Sequence, residues 1–132
     1  MKPAIAVTTL LLTVTLTACG EEEEPAICNS SSELKTSLKD VKKIDIGSGT
    51  ALADLKSAVK KIQGNLAAVK ADAESEYSDQ VKAIESGYAV LKTSIQTATS
   101  STTAATLATV GAAVSALATD VQALITDVQK TC

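Results

Sequence analysis

The residues able to do chemistry in this 132-residue chain are few and of restricted type. There are three Cys (Cys19, Cys28 and Cys132), twelve Lys, and carboxylates that gather at Glu21–Glu24, at Asp72, Glu74, Glu76 and Asp79, and at Asp120 and Asp127. No His, Arg, Trp or Phe occurs, and Tyr77 and Tyr88 are the only aromatics. Without an imidazole there is no Ser-His-Asp or Cys-His relay, and neither thiol-bearing segment holds an Arg or His to activate a thiolate. Zinc sites built on His are excluded, and three scattered Cys do not make a four-thiolate site. The paired carboxylates lack the aromatic walls that raise one pKa and line sugar clefts, so glycosidase chemistry is not expected. The acidic run Glu21–Glu24 lacks the spaced loop of a calcium site. Nucleic-acid binding is not expected either, because base-stacking platforms need aromatic side chains and usually Arg. The composition therefore points to a protein that is not an enzyme and needs no cofactor.

Lys2 is the only charge before Glu21, and an apolar run, Ala4–Ala18, lies between them. Five Thr dilute this run, and it is shorter than the ~20 apolar residues of a membrane span. A positive charge, a short apolar stretch and small residues at its end make a secretory signal. Its last residues, Leu16-Thr17-Ala18-Cys19-Gly20, resemble the lipobox of bacterial lipoproteins: Leu, two small residues, then the Cys that is acylated. The resemblance implies that residues 1–18 are a removed signal peptide. It also implies that Cys19 carries a diacylglyceryl thioether, giving an exported chain lipid-anchored to a bacterial membrane. Several acyl chains would hold it stably, because each buried methylene contributes ~0.8 kcal/mol while a single chain is marginal. Residues 19–27, with four consecutive Glu and Pro25, then form an acidic tether that self-repels and extends.

With Cys19 lipidated, Cys28 and Cys132 remain, and they bracket everything else in the sequence. Outside the cytoplasm a disulfide between them is expected.

The elements between them follow from hydrophobic spacing. Leu34, Leu38 and Val41 share one helical face behind Ser30-Ser31-Ser32-Glu33, which has the form of a capping box. Gly47-Ser48-Gly49 ends that segment, and Thr50 is a natural N-cap for the next. Leu52, Leu55, Val59, Ile62, Leu66 and Val69 alternate spacings of three and four, the pattern of a bundle seam. Val81, Ile84, Tyr88, Leu91 and Ile95 repeat it behind a Ser78-Asp79 cap, and after the Thr99–Thr103 loop so do Leu107, Val110, Val114, Leu117, Val121, Leu124 and Val128. Abundant Ala and the lack of period-two alternation leave no competing strand signal. The expectation is an all-α domain over residues 28–132, with helices at about 31–43, 50–73, 78–98 and 103–131.

The stretch Ala73–Ser78 contains no Gly or Pro, so residues 50–98 also fit one long helix. An intramolecular Cys28–Cys132 bond favours four helices, since only an even number in an up-down-up-down bundle returns the last end beside the first. A bond between neighbouring chains would restore the long helix.

Two surface features bear on partners. Residues 28–70 hold eight Lys against four acids, and residues 71–132 hold three Lys against seven acids. Lys35, Lys39 and Lys42 form one stripe, and Lys56, Lys60 and Lys61 another, together a candidate basic contact face for an envelope protein, anionic lipid or anionic polymer. Without Arg, bidentate phosphate recognition is not expected. From Thr93 to Thr119 there is no charge, and small residues such as Ala104, Ala108, Gly111 and Ala112 abound. This suits a central helix packed on more than one neighbour better than a lipid-inserted or self-associating face.

Beyond the lipobox, the chain resembles small exported bacterial helical proteins with a cysteine near each end. It is also similar to the murein lipoprotein in having a lipidated Cys followed by heptads. That family ends in a Lys, whereas here Thr131 and Cys132 follow Lys130, and four interrupted segments replace one coiled coil. The resulting expectation is a membrane-anchored envelope module that binds or occupies space, with a carrier of an apolar ligand or lipid in the bundle core as the alternative.

Overall fold

The computed structural model describes residues 24–73 and 75–132. They form four α-helices, α1 (Ala26–Lys42), α2 (Ala51–Asp72), α3 (Ser78–Ser100) and α4 (Ala104–Val128), with a single 3₁₀ turn at Ser75–Tyr77. No strand occurs among the described residues. Short connections make consecutive helices antiparallel neighbours, and contacts between α4 and α1 close the ring. The result is the expected up-down-up-down four-helix bundle.

Of the seam residues read from the sequence, all are buried except Leu52, Tyr88 and Leu107, which are half-buried. The core gains Ile27, Ala51, Tyr77, Ala98, Ala113 and Ile125. Leu34, Leu55, Ile62, Ile84, Leu91, Leu117 and Leu124 are its largest fully enclosed side chains.

The first helix begins earlier than its capping signal suggests. Pro25 occupies the N-cap position in an extended conformation (φ −51°, ψ 139°), and the Cys28 N–H donates to its carbonyl at 2.8 Å. A proline there sacrifices nothing, because the first N–H groups of a helix have no intrahelical acceptor. Ser30 and Ser31 are therefore inside α1 rather than at its start. Their hydroxyls donate to Ala26 O at 3.2 Å and Cys28 O at 3.2 Å, which lets both serines be buried without orphaned polar atoms. Burial of Ile27, one turn before Ser31, is the gain that draws Ala26 and Ile27 out of the expected tether and into the helix.

The other boundaries hold more closely. Thr50 is the residue before α2, but its hydroxyl donates to Asp54 Oδ2 (3.2 Å) instead of accepting from a backbone N–H. Residues 50–98 are two helices. Ala73 leaves α2 in an extended conformation (φ −70°, ψ 129°), and the 3₁₀ turn carries Tyr77 into the core. There the Tyr77 hydroxyl lies 3.2 Å from Thr131 Oγ1, tying this corner to the residues after α4. A true capping box forms at the start of α4: the Thr106 N–H donates to Thr103 Oγ1 (3.2 Å) and the Thr103 N–H donates to Thr106 Oγ1 (3.0 Å).

Cys28, in the first turn of α1, and Cys132, beyond α4, are joined by a disulfide with Cα atoms 6.1 Å apart. The even number of helices brings the two ends together, and the bond spans 104 positions of sequence.

Two glycines show how tightly neighbouring walls are set. On α3, a Cβ at Gly87 would lie 3.2 Å from Leu117 Cδ1 and 3.3 Å from Asp120 Oδ2, so α3 and α4 approach closely there. Gly64 is different, exposed in the middle of α2 with nothing within 4 Å of a Cβ. Gly64→Ala is expected to stabilise the bundle by about 0.8–1 kcal/mol, because it removes the backbone-entropy cost of Gly in a helix and meets no atom. Urea unfolding of the two oxidised proteins measures it, with a higher midpoint expected for the alanine variant.

α4 is long and apolar enough, by length and composition, to cross a membrane. In the bundle it packs on α3 and α1 and turns Val110, Val114, Leu117, Val121, Leu124 and Val128 inward. Ala104, Ala105, Ala108, Ala112 and Ala116 are exposed on its outer side.

Candidate functional site

The basic residues divide between two seams of the bundle. Lys35, Lys39 and Lys42 run along α1 beside α4, where they border a hollow of about 90 Å³ with Leu38, Ala118 and Gln122. Lys56 and Lys60 lie on the opposite side of the α1–α2 pair, beside α3, and Lys61 is exposed on α2. The antiparallel register explains the split. Asn65 of α2 donates to Glu33 O of α1 (3.2 Å) and also hydrogen-bonds Ser37 Oγ, so the Asn65 face of α2 is committed to α1. Lys56 and Lys60 project to the other flank.

On that flank the structure adds a lysine that spacing within one helix does not reveal. Lys92 of α3 joins Lys56 and Lys60 around a hollow of about 380 Å³, floored by Val59, Ile95 and Tyr88, with Gln63 and Gln96 at its rim. No carboxylate of the described residues borders it. Burial pushes the Tyr88 phenol above its usual range, so this ring is neutral throughout the ordinary pH range. α2 and α3 touch less than any other pair of adjacent helices, which is why this seam stands open.

Two smaller hollows continue the seam toward the disulfide end. One, of about 290 Å³, shares Gln63 and Tyr88 with the first and adds Leu66 and Ala67. The next, of about 280 Å³, runs past Val81 to Ala73 and Ser75. Between them Lys70 Nζ and Glu85 Oε1 pair across the seam at 2.8 Å.

Two carboxylates of α4, Asp127 and Asp120, face α3. Asp127 accepts from Lys130 Nζ at 2.9 Å and Gln80 Nε2 at 2.7 Å. These bonds, Lys130 first, hold its carboxyl below the ordinary aspartate value. Asp120 lies against Gly87 where α3 and α4 meet. No group of three or more Cys, Asp or Glu side chains placed to hold a metal ion occurs among the described residues. Cys19 and the lipobox Leu16-Thr17-Ala18-Cys19 fall outside the described residues, as do Glu21–Glu23 of the tether and Glu74 of the second carboxylate group. The chain gives no significant match to any protein-family model, curated protein or solved structure.

Proposed function

We propose that this chain is a lipoprotein of a bacterial cell envelope, anchored to a membrane through acyl groups on Cys19, whose disulfide-clasped bundle acts by contact rather than catalysis. The observation that carries this reading is the apolar run ending in Leu16-Thr17-Ala18-Cys19 directly ahead of an acidic stretch and a folded unit. The Cys28–Cys132 bond supports export, since such bonds persist in oxidising compartments and are rare in reducing ones. The Lys-bearing flanks offer surfaces to an envelope protein or anionic polymer.

Anchoring is tested by Cys19→Ser in the full chain. The variant is expected to take up no labelled palmitate and to leave the membrane fraction, because removing the thioether removes the acyl chains that give stable binding. A variant that is still labelled and still sediments with membranes contradicts the reading.

The carrier reading is favoured by one observation, the open apolar floor between α2 and α3. Core positions themselves are filled by fully enclosed Leu, Ile and Val side chains, so a ligand would occupy the seam.

A further inference from the structure

We infer that the α2–α3 seam binds a single-chain anionic amphiphile of the fatty-acid class, with its acyl chain along the Val59–Tyr88–Leu66 floor and its carboxylate among Lys56, Lys60 and Lys92. The inference rests on the carrier reading and gives it a ligand class and a site.

Three observations carry it. The first is shape. Two hollows run together from Lys56 to Ala67 of α2, at 1.5 Å per helical residue ~17 Å of groove, and the Lys70–Glu85 pair closes it at the far end. One leaflet of a bilayer's ~30 Å hydrocarbon core is ~15 Å deep, so an extended acyl chain fits the groove's length. The second is polarity along the groove. Its floor of Val59, Leu66, Ala67, Tyr88 and Ile95 is apolar, three ammonium groups and two amides gather at the Lys56 end, and at the other end Lys70 is already paired with Glu85. The third is charge. Among the described residues the ion pairs are made by Lys43, Lys70 and Lys130, and no described carboxylate lies at pairing distance from Lys56, Lys60 or Lys92. Three cations gathered at one end of an apolar trough complement a molecule that is anionic at one end and apolar along the rest.

The lysine chemistry also selects among anions. An ammonium is a point charge that pairs with a carboxylate without demanding the bidentate geometry that Arg supplies to phosphate. The apolar floor would leave a purely hydrophilic polyanion with nothing to cover it. On the α1–α4 seam Lys35, Lys39 and Lys42 border a hollow of about 90 Å³, and the adjoining hollow of about 220 Å³ carries the Glu24 carboxylate together with Ser31, Ser32 and Gln129, which suits an anionic amphiphile less well.

The test uses the full chain in nonionic detergent micelles, photolabelled in parallel with a diazirine-bearing fatty acid and with the fatty alcohol of the same length. Both probes partition into micelles, so the difference between them reports the headgroup. At mildly alkaline pH, where the acid is ionised, it is expected to label peptides spanning Lys56–Leu66 and Tyr88–Gln96 about ten-fold more than the alcohol does. The triple variant Lys56→Gln, Lys60→Gln, Lys92→Gln should lose that preference, and Lys35→Gln, Lys39→Gln, Lys42→Gln should keep it. Equal labelling of the seam by acid and alcohol overturns the anionic specificity and leaves a carrier. Labelling spread over other helices overturns both. Neither result bears on Cys19, whose acylation is read separately from palmitate uptake.

Discussion

Replacing both Cys28 and Cys132 with Ser is expected to cost about 3–5 kcal/mol of stability. The bond closes a loop across 104 positions, and the chain-entropy model assigns ~4.7 kcal/mol to a loop of about 100 residues. A domain of this size is stable by only ~5–15 kcal/mol in total, so the loss is a large fraction of what holds the bundle folded. The melting temperature should fall by at least ~12 °C, since about 4–8 °C accompanies each kcal/mol in a domain of about this size. Helical circular dichroism at low temperature should persist, because the buried seams do not depend on the sulfurs for their contacts. Thermal and urea unfolding of the double variant against the oxidised protein measures the effect. An unchanged midpoint would mean that the termini are held together without the bond.

Leu117→Ala is expected to cost a further large amount, about 3–5 kcal/mol, as the upper part of the range for buried Leu truncations. Leu117 is fully buried on α4, and its Cδ1 lies against Gly87 where the α3 and α4 backbones already approach closely. Little room is left for the walls to collapse around the missing atoms, and a cavity that does not relax carries the larger penalty. Val90 on α3 provides the contrast. It is 58% exposed, and Val90→Ala should change stability by no more than ~0.5 kcal/mol. Chemical denaturation of both variants separates a packed joint from a solvated face, and similar values for the two would contradict this packing.

The helical seams were readable because spacings of three and four report which face turns inward, whatever it packs against. That is why Leu55, Ile62, Ile84 and Leu124 could be assigned to the core before any fold was known. The start of α1 was obscured by chemistry that cuts both ways. Ser30–Glu33 has capping-box form, yet serine hydroxyls also bond to carbonyls of the preceding turn, and only burial of Ile27 decides between the two. The break after Ala73 carries no Gly or Pro, and its cause, the insertion of Tyr77 beside Thr131, joins residues far apart in sequence. Ala51, Ala98 and Ala113 entered the core unannounced because Ala is common on either face of a helix.

The candidate site was legible only in part. Lys56 and Lys60 form a stripe one turn apart, but their grouping with Lys92 depends on how α2 and α3 are set against each other. Periodicity states that a seam exists and not how wide it is. Tyr88 shows this, since its spacing places it in the core while the open seam leaves it half-buried as part of a groove floor. The same reasoning separates Lys35, Lys39 and Lys42 from the α2 lysines, because a shared sign of charge says nothing about which side of a helix pair each faces.

Intact mass spectrometry of the chain, recovered from bacterial membranes without reductant, tests the central claim most directly. The account requires a species of residues 19–132 bearing a diacylglyceryl group at Cys19, lighter by the two hydrogens lost in the Cys28–Cys132 bond. A chain that still carries residues 1–18, has no acyl mass and keeps both thiols free would contradict it.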